Sequence, residues 1–545
     1  MVLPVALYVA GAFVFFRWQI FSKFDLLFGD RGDARLIIFL HEHVYQSLWF
    51  RNSVLSPPFF YDLQQTLGYS EAFLLNQVVY APLRLLGTDP YLALSLVVVV
   101  LSVVSFTCAY LFLRRLGVSS AIAAVGALVI TFPNNLYVKS GHLQHFAVYY
   151  LPVVAWSSAV AIGEVHTRRR RAYVSAAVAG GVAGMVFSTG YYVAWFFGLG
   201  LVVLAVAGFG FVRPVLRDWW REGRRDVQRL LSCAALAFAA AMVVFVVVYA
   251  PALARGATRT LVDYLFYAPR LEDLFNVGNG NLIWSKPIAV LGLVSAKRRA
   301  FEEATIALTP IMQALLLVCA ALAVRPGFWP ATARGRIARA LAFGGLCVCA
   351  LFFVLTVKVN GLTLFKWVQI LIPGATAIRV GYRAMVVGNL FAMTAIAVTF
   401  DRIVCRALAE PGALLRAVRI GVAGVLLAMV AIEQINVGQS AFVSRTFERA
   451  HLARLDRAPS TCRTFFVAPQ PGRQWFEVQM DAMMIAMALR LPTINGYSGF
   501  MPPGWELYDT NAPDYESLAM KWARARGLEG LCRVDVIDGT WTTVP

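Results

Sequence analysis

The chain has 545 residues, of which 14% are charged and 59% belong to the apolar set AVILMFWYC, whereas soluble domains carry about 25% charged residues. So apolar a chain cannot cover itself with a water-compatible surface, which excludes a soluble enzyme, a disordered scaffold and a disulfide-dense secreted domain. The net charge of +19 does not point to nucleic acid, because the arginines concentrate in short stretches between apolar segments.

Eleven apolar runs read as helices able to cross a bilayer: residues 1–20, 91–113, 119–133, 146–164, 173–188, 192–212, 230–250, 304–324, 340–357, 383–400 and 420–436. The first lacks a basic leader and a small-residue cleavage site, so it is expected to be a retained span. Loops 114–118, 165–172, 213–229, 325–339 and 401–419 hold 20 Lys and Arg, whereas the alternate loops hold 16 over more than twice the length. The Arg-rich set therefore faces the cytoplasm, with the amino terminus inside and the tail outside. The expected fold is a polytopic α-helical membrane protein of about eleven spans. It divides into a membrane module, 1–436, with a long outer loop at 21–90, and a small extracytoplasmic α/β domain, 437–545.

The outer loop opens with Phe28-Gly-Asp-Arg-Gly-Asp-Ala-Arg35, where two glycines allow a tight turn and two carboxylates precede a helical pattern. One reading has Asp33 capping a helix that begins at Ala34, with Asp30 paired to Arg31 or Arg35. The other has Asp30 or Asp33 polarising an acceptor hydroxyl as it attacks. His41 and His43 lie two apart and point to different helix faces, which argues against a zinc site. Arg35, Glu42 and His43 share one broad face and are expected to line the same cavity as Asp33. The aromatic stretch Pro57-Pro-Phe-Phe-Tyr61 suits a segment lying along the headgroups.

A first span followed by Gly-Asp-x-Gly-Asp-x-Arg, a helix carrying Glu-His and a second loop Gly141-His-Leu-Gln-His145 resembles bacterial integral-membrane glycosyltransferases of the GT-C superfamily. Ala377-Ile-Arg-Val-Gly-Tyr-Arg383 and Asn495-Gly-Tyr-Ser-Gly-Phe-Met-Pro-Pro-Gly504 resemble the same group. The resemblance implies sugar transfer from a polyprenyl-phosphate-linked donor to an extracytoplasmic glycan, lipid or protein, in the bacterial inner membrane. It also implies an acidic residue of the first loop, here Asp30 or Asp33, as the base. Some relatives use a divalent metal and others none, and no metal ligand is assigned here.

A lipid-phosphate donor needs an apolar groove for its chain and cations at headgroup depth. Arg379 and Arg383 are the main candidates. Arg383 lies closest to an apolar run, where a charge needs an anionic partner. His142 and His145, three apart before the fourth span, are candidate phosphate or hydroxyl ligands. In the tail, Cys462 to Val467 and Leu531 to Ile537 read as strands flanking a Met-striped helix. Neighbouring parallel strands would bring Cys462 and Cys532 within disulfide reach. Tyr497 and Trp505 in the Gly- and Pro-rich loop are candidate sugar-stacking residues.

Acid, basic mouth and tail together favour a transferase. The alternative is a lipid-linked glycan flippase or transporter, or an O-antigen-polymerase-like protein. A transporter predicts charges at mid-span, and these are nearly absent.

Overall fold

Each of the eleven apolar runs contains helix in the computed structural model, which describes residues 2–50, 53–305, 308–409, 411–438 and 441–544. The run expected at 304–324 includes two residues, 306 and 307, outside that set. Length and helix count do not coincide. Among the described residues eight helical stretches are long and apolar enough to cross a membrane: Pro90–Arg115, Ser120–Gly141, Leu143–Glu164, Tyr191–Glu222, Arg224–Ala254, Ala333–Thr356, Gly381–Leu408 and Ala413–Ile432. Val2–Phe15 and Pro310–Val324 are apolar but shorter. A 14-residue helix rises only about 21 Å, less than a hydrocarbon core of about 30 Å. Arg169–Phe187 opens on three arginines and is not among the eight.

The helix Ala384–Leu408 is buried over nearly all of its apolar length and forms the hub, packed by Ala333–Thr356, Pro310–Val324, Ala413–Ile432 and Ser120–Thr131. Arg224–Ala254 instead exposes most of its surface and leans on Arg169–Phe187. That contact requires small residues: a Cβ on Gly180 would stand 2.1 Å from the Ala234 carbonyl oxygen.

Above the helices, the first loop and the tail are interleaved. Strand Leu26–Phe28 pairs antiparallel with Phe442–Ser444, Leu27 opposite Val443. The tail then builds a three-stranded sheet, Thr464–Val467 parallel to Leu531–Val534 and the latter antiparallel to Trp541–Thr543. Helices Trp475–Leu489 and Tyr515–Ala525 lie in the parallel crossover, and Met480, Met483, Met484 and Met487 pack into the core. Cys462 and Cys532 are joined by a disulfide, their Cα atoms 5.6 Å apart.

The aromatic stretch after Pro57, expected along the headgroups, instead turns its phenylalanines inward against the tail. Phe59 and Phe60 are buried, and the Phe60 N–H donates to the Asn495 carbonyl.

Arg35 locks the two parts together. Fully buried, it pairs with Asp481 at 2.5 Å and Glu448 at 3.0 Å, both from the tail. Arg35→Leu removes the buried partner that Asp481 and Glu448 share, leaving them to Arg473 and Arg31, and a destabilisation of about 3 kcal/mol is expected. Thermal unfolding with limited proteolysis of the tail reads it; an unchanged midpoint would show the pairs to be dispensable.

Candidate active site

The turn before helix Asp33–Phe50 gives the two carboxylates different partners. Asp30 Oδ1 accepts the backbone N–H groups of Gly32 at 2.9 Å and Asp33 at 2.7 Å, so Asp30 rather than Asp33 caps this helix start. Asp30 makes no salt bridge to Arg31 or Arg35: Arg31 pairs with Glu448 and Glu477, and Arg35 with the tail. Gly29, at φ +118°, lets the turn approach the second loop; a Cβ there would sit 2.3 Å from the Ala34 Cβ and 3.2 Å from the Gly141 carbonyl oxygen.

Asp33 is thereby aimed at the second loop. Its Oδ2 lies 2.8 Å from His142 Nδ1 and accepts from Gln144 Nε2 at 3.4 Å, while the Tyr497 hydroxyl donates to Oδ1 at 3.4 Å. The other His142 nitrogen, Nε2, is 3.4 Å from Glu303 Oε1. Glu303 Oε1 also takes the Arg383 guanidinium at 2.8 Å, and its Oε2 takes the Lys139 ammonium at 3.1 Å. An acid from the first long loop and a guanidinium from the start of the hub helix thus meet through His142 and Glu303. The Asp33 and His142 side chains are 26% and 22% exposed, against 8% for Glu303, 10% for Arg383 and 0% for Lys139. The first two keep partial contact with solvent and the other three are nearly or fully buried beside them.

A histidine with a carboxylate on each ring nitrogen has an acceptor for both protons, which favours the imidazolium. Burial opposes that charge, but Glu303 and Asp33 outweigh it and lift His142 to about 9. Burial also opposes ionisation of Asp33, yet His142, Arg383 and Gln144 hold its carboxyl at about 2. Glu303 is held well below the usual range because Arg383, Lys139 and His142 outweigh its burial. Asp30 is exposed at the rim; the protein mass around it and the Asp33 charge raise its carboxyl. The His142 value lies above its ordinary 6.5, so its share of the ion-pair stability is full below about 6.5 and lost as pH rises through about 9. The Asp33 value lies below 3.8, so its share is full above about 4 and lost only as pH falls through about 2. Histidine-selective NMR on the labelled protein is expected to show His142 titrating near 9; a midpoint near 6.5 would contradict the pairing.

Other residues read from the sequence are elsewhere. Glu42 lies nine residues beyond Asp33, about 13 Å along the helix. It is buried against Arg84 at 2.7 Å and the Tyr80 hydroxyl at 2.8 Å. It shares a helix with Asp33 but not a cavity. His43 is buried, its Nε2 3.0 Å from the Val54 carbonyl oxygen, and Arg35 is consumed by the tail. Trp505 is 5% exposed, donates from Nε1 to the Ile494 carbonyl and packs edge-on against Phe60, so its ring is not open to stack on a sugar. His145 lies buried beside His142, ring centroids 6.0 Å apart, its Nε2 without a hydrogen-bond partner among the described residues. Arg379 sits on the Tyr267 ring at 4.9 Å, and Arg259 on Phe500 at 4.0 Å.

Glu303, Lys139 and Glu71 have no role in the sequence reading, and Gln144 enters it only as part of the Gly141 to His145 motif. The only available signal was that Arg383 needed an acid. Among the described residues no three His, Cys, Asp or Glu side chains are grouped to hold a metal ion.

No protein-family model matches the chain, and no curated protein matches it in sequence. Its structure is similar to that of the Archaeoglobus fulgidus oligosaccharyltransferase, solved as a complex with zinc and sulfate. The TM-score is 0.50 at 12% identity, over 98% of this chain and 67% of that one. ArnT from Cupriavidus metallidurans in the apo state aligns with 97% of this chain and 92% of its own, at 13% identity and a TM-score of 0.37. The chain thus shares the fold of that oligosaccharyltransferase, and among its described residues eight helical stretches are long and apolar enough to cross a membrane.

Proposed function

We propose that this protein is a glycosyltransferase that moves a sugar from a polyprenyl-phosphate-linked donor to an extracytoplasmic glycan, lipid or protein acceptor at the bacterial inner membrane. The observation that carries the reading is the link from Asp33 through His142 and Glu303 to Arg383 and Lys139. It joins a carboxylate able to orient a hydroxyl to cations able to receive a departing phosphate. Asp33 is assigned over Asp30 because it contacts His142, which connects it to Glu303 and Arg383, whereas Asp30 Oδ1 is used in capping the turn. Tyr497 brings the tail loop to the same carboxylate, and Arg259 and Arg379 make the adjoining rim basic.

In this reading the acceptor oxygen attacks the anomeric carbon as the bond to phosphate breaks, a single displacement that inverts the centre. Val262 and Phe266 are exposed on the short helix whose Tyr267 carries Arg379, and Trp367 and Ile370 on the helix joined to it by the Tyr264–Phe365 stack, so the isoprenoid chain is offered an apolar surface next to these cations. Membranes holding the full chain, supplied with radiolabelled polyprenyl-phosphate sugars, are expected to release polyprenyl phosphate and label an acceptor. Release by none of the donors, in membranes shown to contain the folded protein, would oppose the reading.

A further inference from the structure

Asp33 is well suited to hold a hydroxyl and poorly suited to take its proton. Both its oxygens already have donors, from His142, Gln144 and Tyr497, an arrangement that stabilises the anion and weakens it as a base. A second carboxylate of the same loop, Glu71, has the complementary surroundings. Its Oε1 accepts the N–H of Tyr191 at 3.0 Å, at the first turn of helix Tyr191–Glu222, and its Oε2 has no donor among the described residues.

The backbone around Glu71 is firmly placed. The Ala72 N–H donates to the Tyr249 hydroxyl at 3.1 Å, the Leu74 N–H to the Ser188 carbonyl at 3.3 Å and the Leu75 N–H to Thr189 Oγ1 at 3.0 Å. The turn that receives these bonds touches the second loop, since a Cβ on Gly190 would stand 3.3 Å from the Gln144 carbonyl oxygen. Gln144 is the residue that donates to Asp33, and Tyr192, next to the amide that holds Glu71, carries the Arg383 guanidinium on its ring at 5.0 Å. Glu71 is therefore anchored to the turn that borders Gln144 and to the residue next to Tyr192, on which Arg383 lies, and it keeps part of its surface accessible.

Resting on the transferase reading above, we propose that Glu71 is the proton acceptor of the transfer, while Asp33 orients the acceptor hydroxyl. The acceptor O–H proton passes to the Glu71 carboxylate. The freed electron pair forms the new bond to the anomeric carbon, the bond from that carbon to the phosphate oxygen breaks, and polyprenyl phosphate departs with its pair beside Arg383. Glu71 then returns the proton to solvent.

The charged and titratable groups facing Glu71 are Arg383 from the hub helix, Asp33 and His142 from the two loops, and Tyr191 and Tyr249 from the flanking helices. Burial raises the Glu71 carboxyl, Asp33 adds to the rise, and Arg383, the Tyr191 amide and His142 oppose it, leaving it at about 7. A base is most effective when matched to the working pH in this way.

The test uses the full chain in lipid nanodiscs and has two arms. Infrared difference titration of wild type against E71Q is expected to show a protonated-carboxyl band that disappears near pH 7 and is absent from E71Q, and it needs no substrate. In the transfer assay with undecaprenyl-phosphate-linked hexoses as the donor probes, E71Q is expected to lower kcat by about 10²–10⁴-fold with little change in KM. It should also flatten the loss of rate below pH 7, and Glu71→Asp should restore part of it. If Asp33→Asn abolishes transfer while E71Q keeps wild-type rate and pH profile, Glu71 is not the base and the transferase reading stands. If no probe is turned over, that reading fails, and a missing infrared band independently overturns the assignment of Glu71.

Discussion

Asp33→Asn is expected to lower transfer by about 10³-fold while leaving the protein folded. Asparagine keeps the volume and can still accept from Tyr497. It removes the charge that draws His142 into its imidazolium form and the acceptor geometry that orients a hydroxyl. The His142 pKa should fall in the variant, since one of its two carboxylates is gone and only Glu303 remains. Asp30→Asn should act through the turn instead: an amide oxygen still accepts the Gly32 and Asp33 amides, so activity should stay within a few fold. Rates of both variants, normalised to folded protein in membranes, check the pair. Equal losses would contradict the assignment of Asp33.

Arg383→Ala is the second large effect, about 10²–10³-fold in kcat. The guanidinium belongs to the residue immediately before the hub helix. Its removal leaves Glu303 with Lys139 and His142 alone and frees the ring face of Tyr192. Arg383→Lys should restore part of the rate, because a point charge keeps the attraction to phosphate but loses the planar stack and the fork of donors. Removing Arg379, which has no carboxylate contact among the described residues and sits at the rim, should raise KM for the donor more than it lowers kcat. Kinetics across donor concentrations separate these outcomes.

The helices were legible in the sequence because lipid-facing and core-facing positions are both apolar, so a span announces itself without any partner. The turn around Asp30 and Asp33 was legible because two glycines and two acids before a helical pattern admit few conformations. Which acid capped and which stayed free was not: that follows from hydrogen bonds to Gly32 and Asp33, which either reading allowed.

Periodicity also misled in a specific way. It correctly puts Arg35, Glu42 and His43 on neighbouring faces of one helix, but a helix face has length. Nine residues separate Asp33 from Glu42, enough to carry Glu42 into a different cluster with Arg84 and Tyr80. Arg35 and Trp505 were judged by chemistry suited to ligands, yet the tail folds over both, a contact that no local pattern encodes. Glu303 is 80 residues from Arg383 and 164 from Lys139, and only the folded chain unites them.

The most direct test of the central claim is a cryo-electron microscopy structure of the full chain in nanodiscs with a non-hydrolysable polyprenyl-phosphonate sugar. The sugar is predicted within hydrogen-bond distance of Asp33 and Tyr497, with the phosphonate beside Arg383, in a recess open to the leaflet opposite the Arg-rich loops. Density for the sugar against Glu42 and Arg84, or in a cavity opening among the Arg-rich loops, would contradict it.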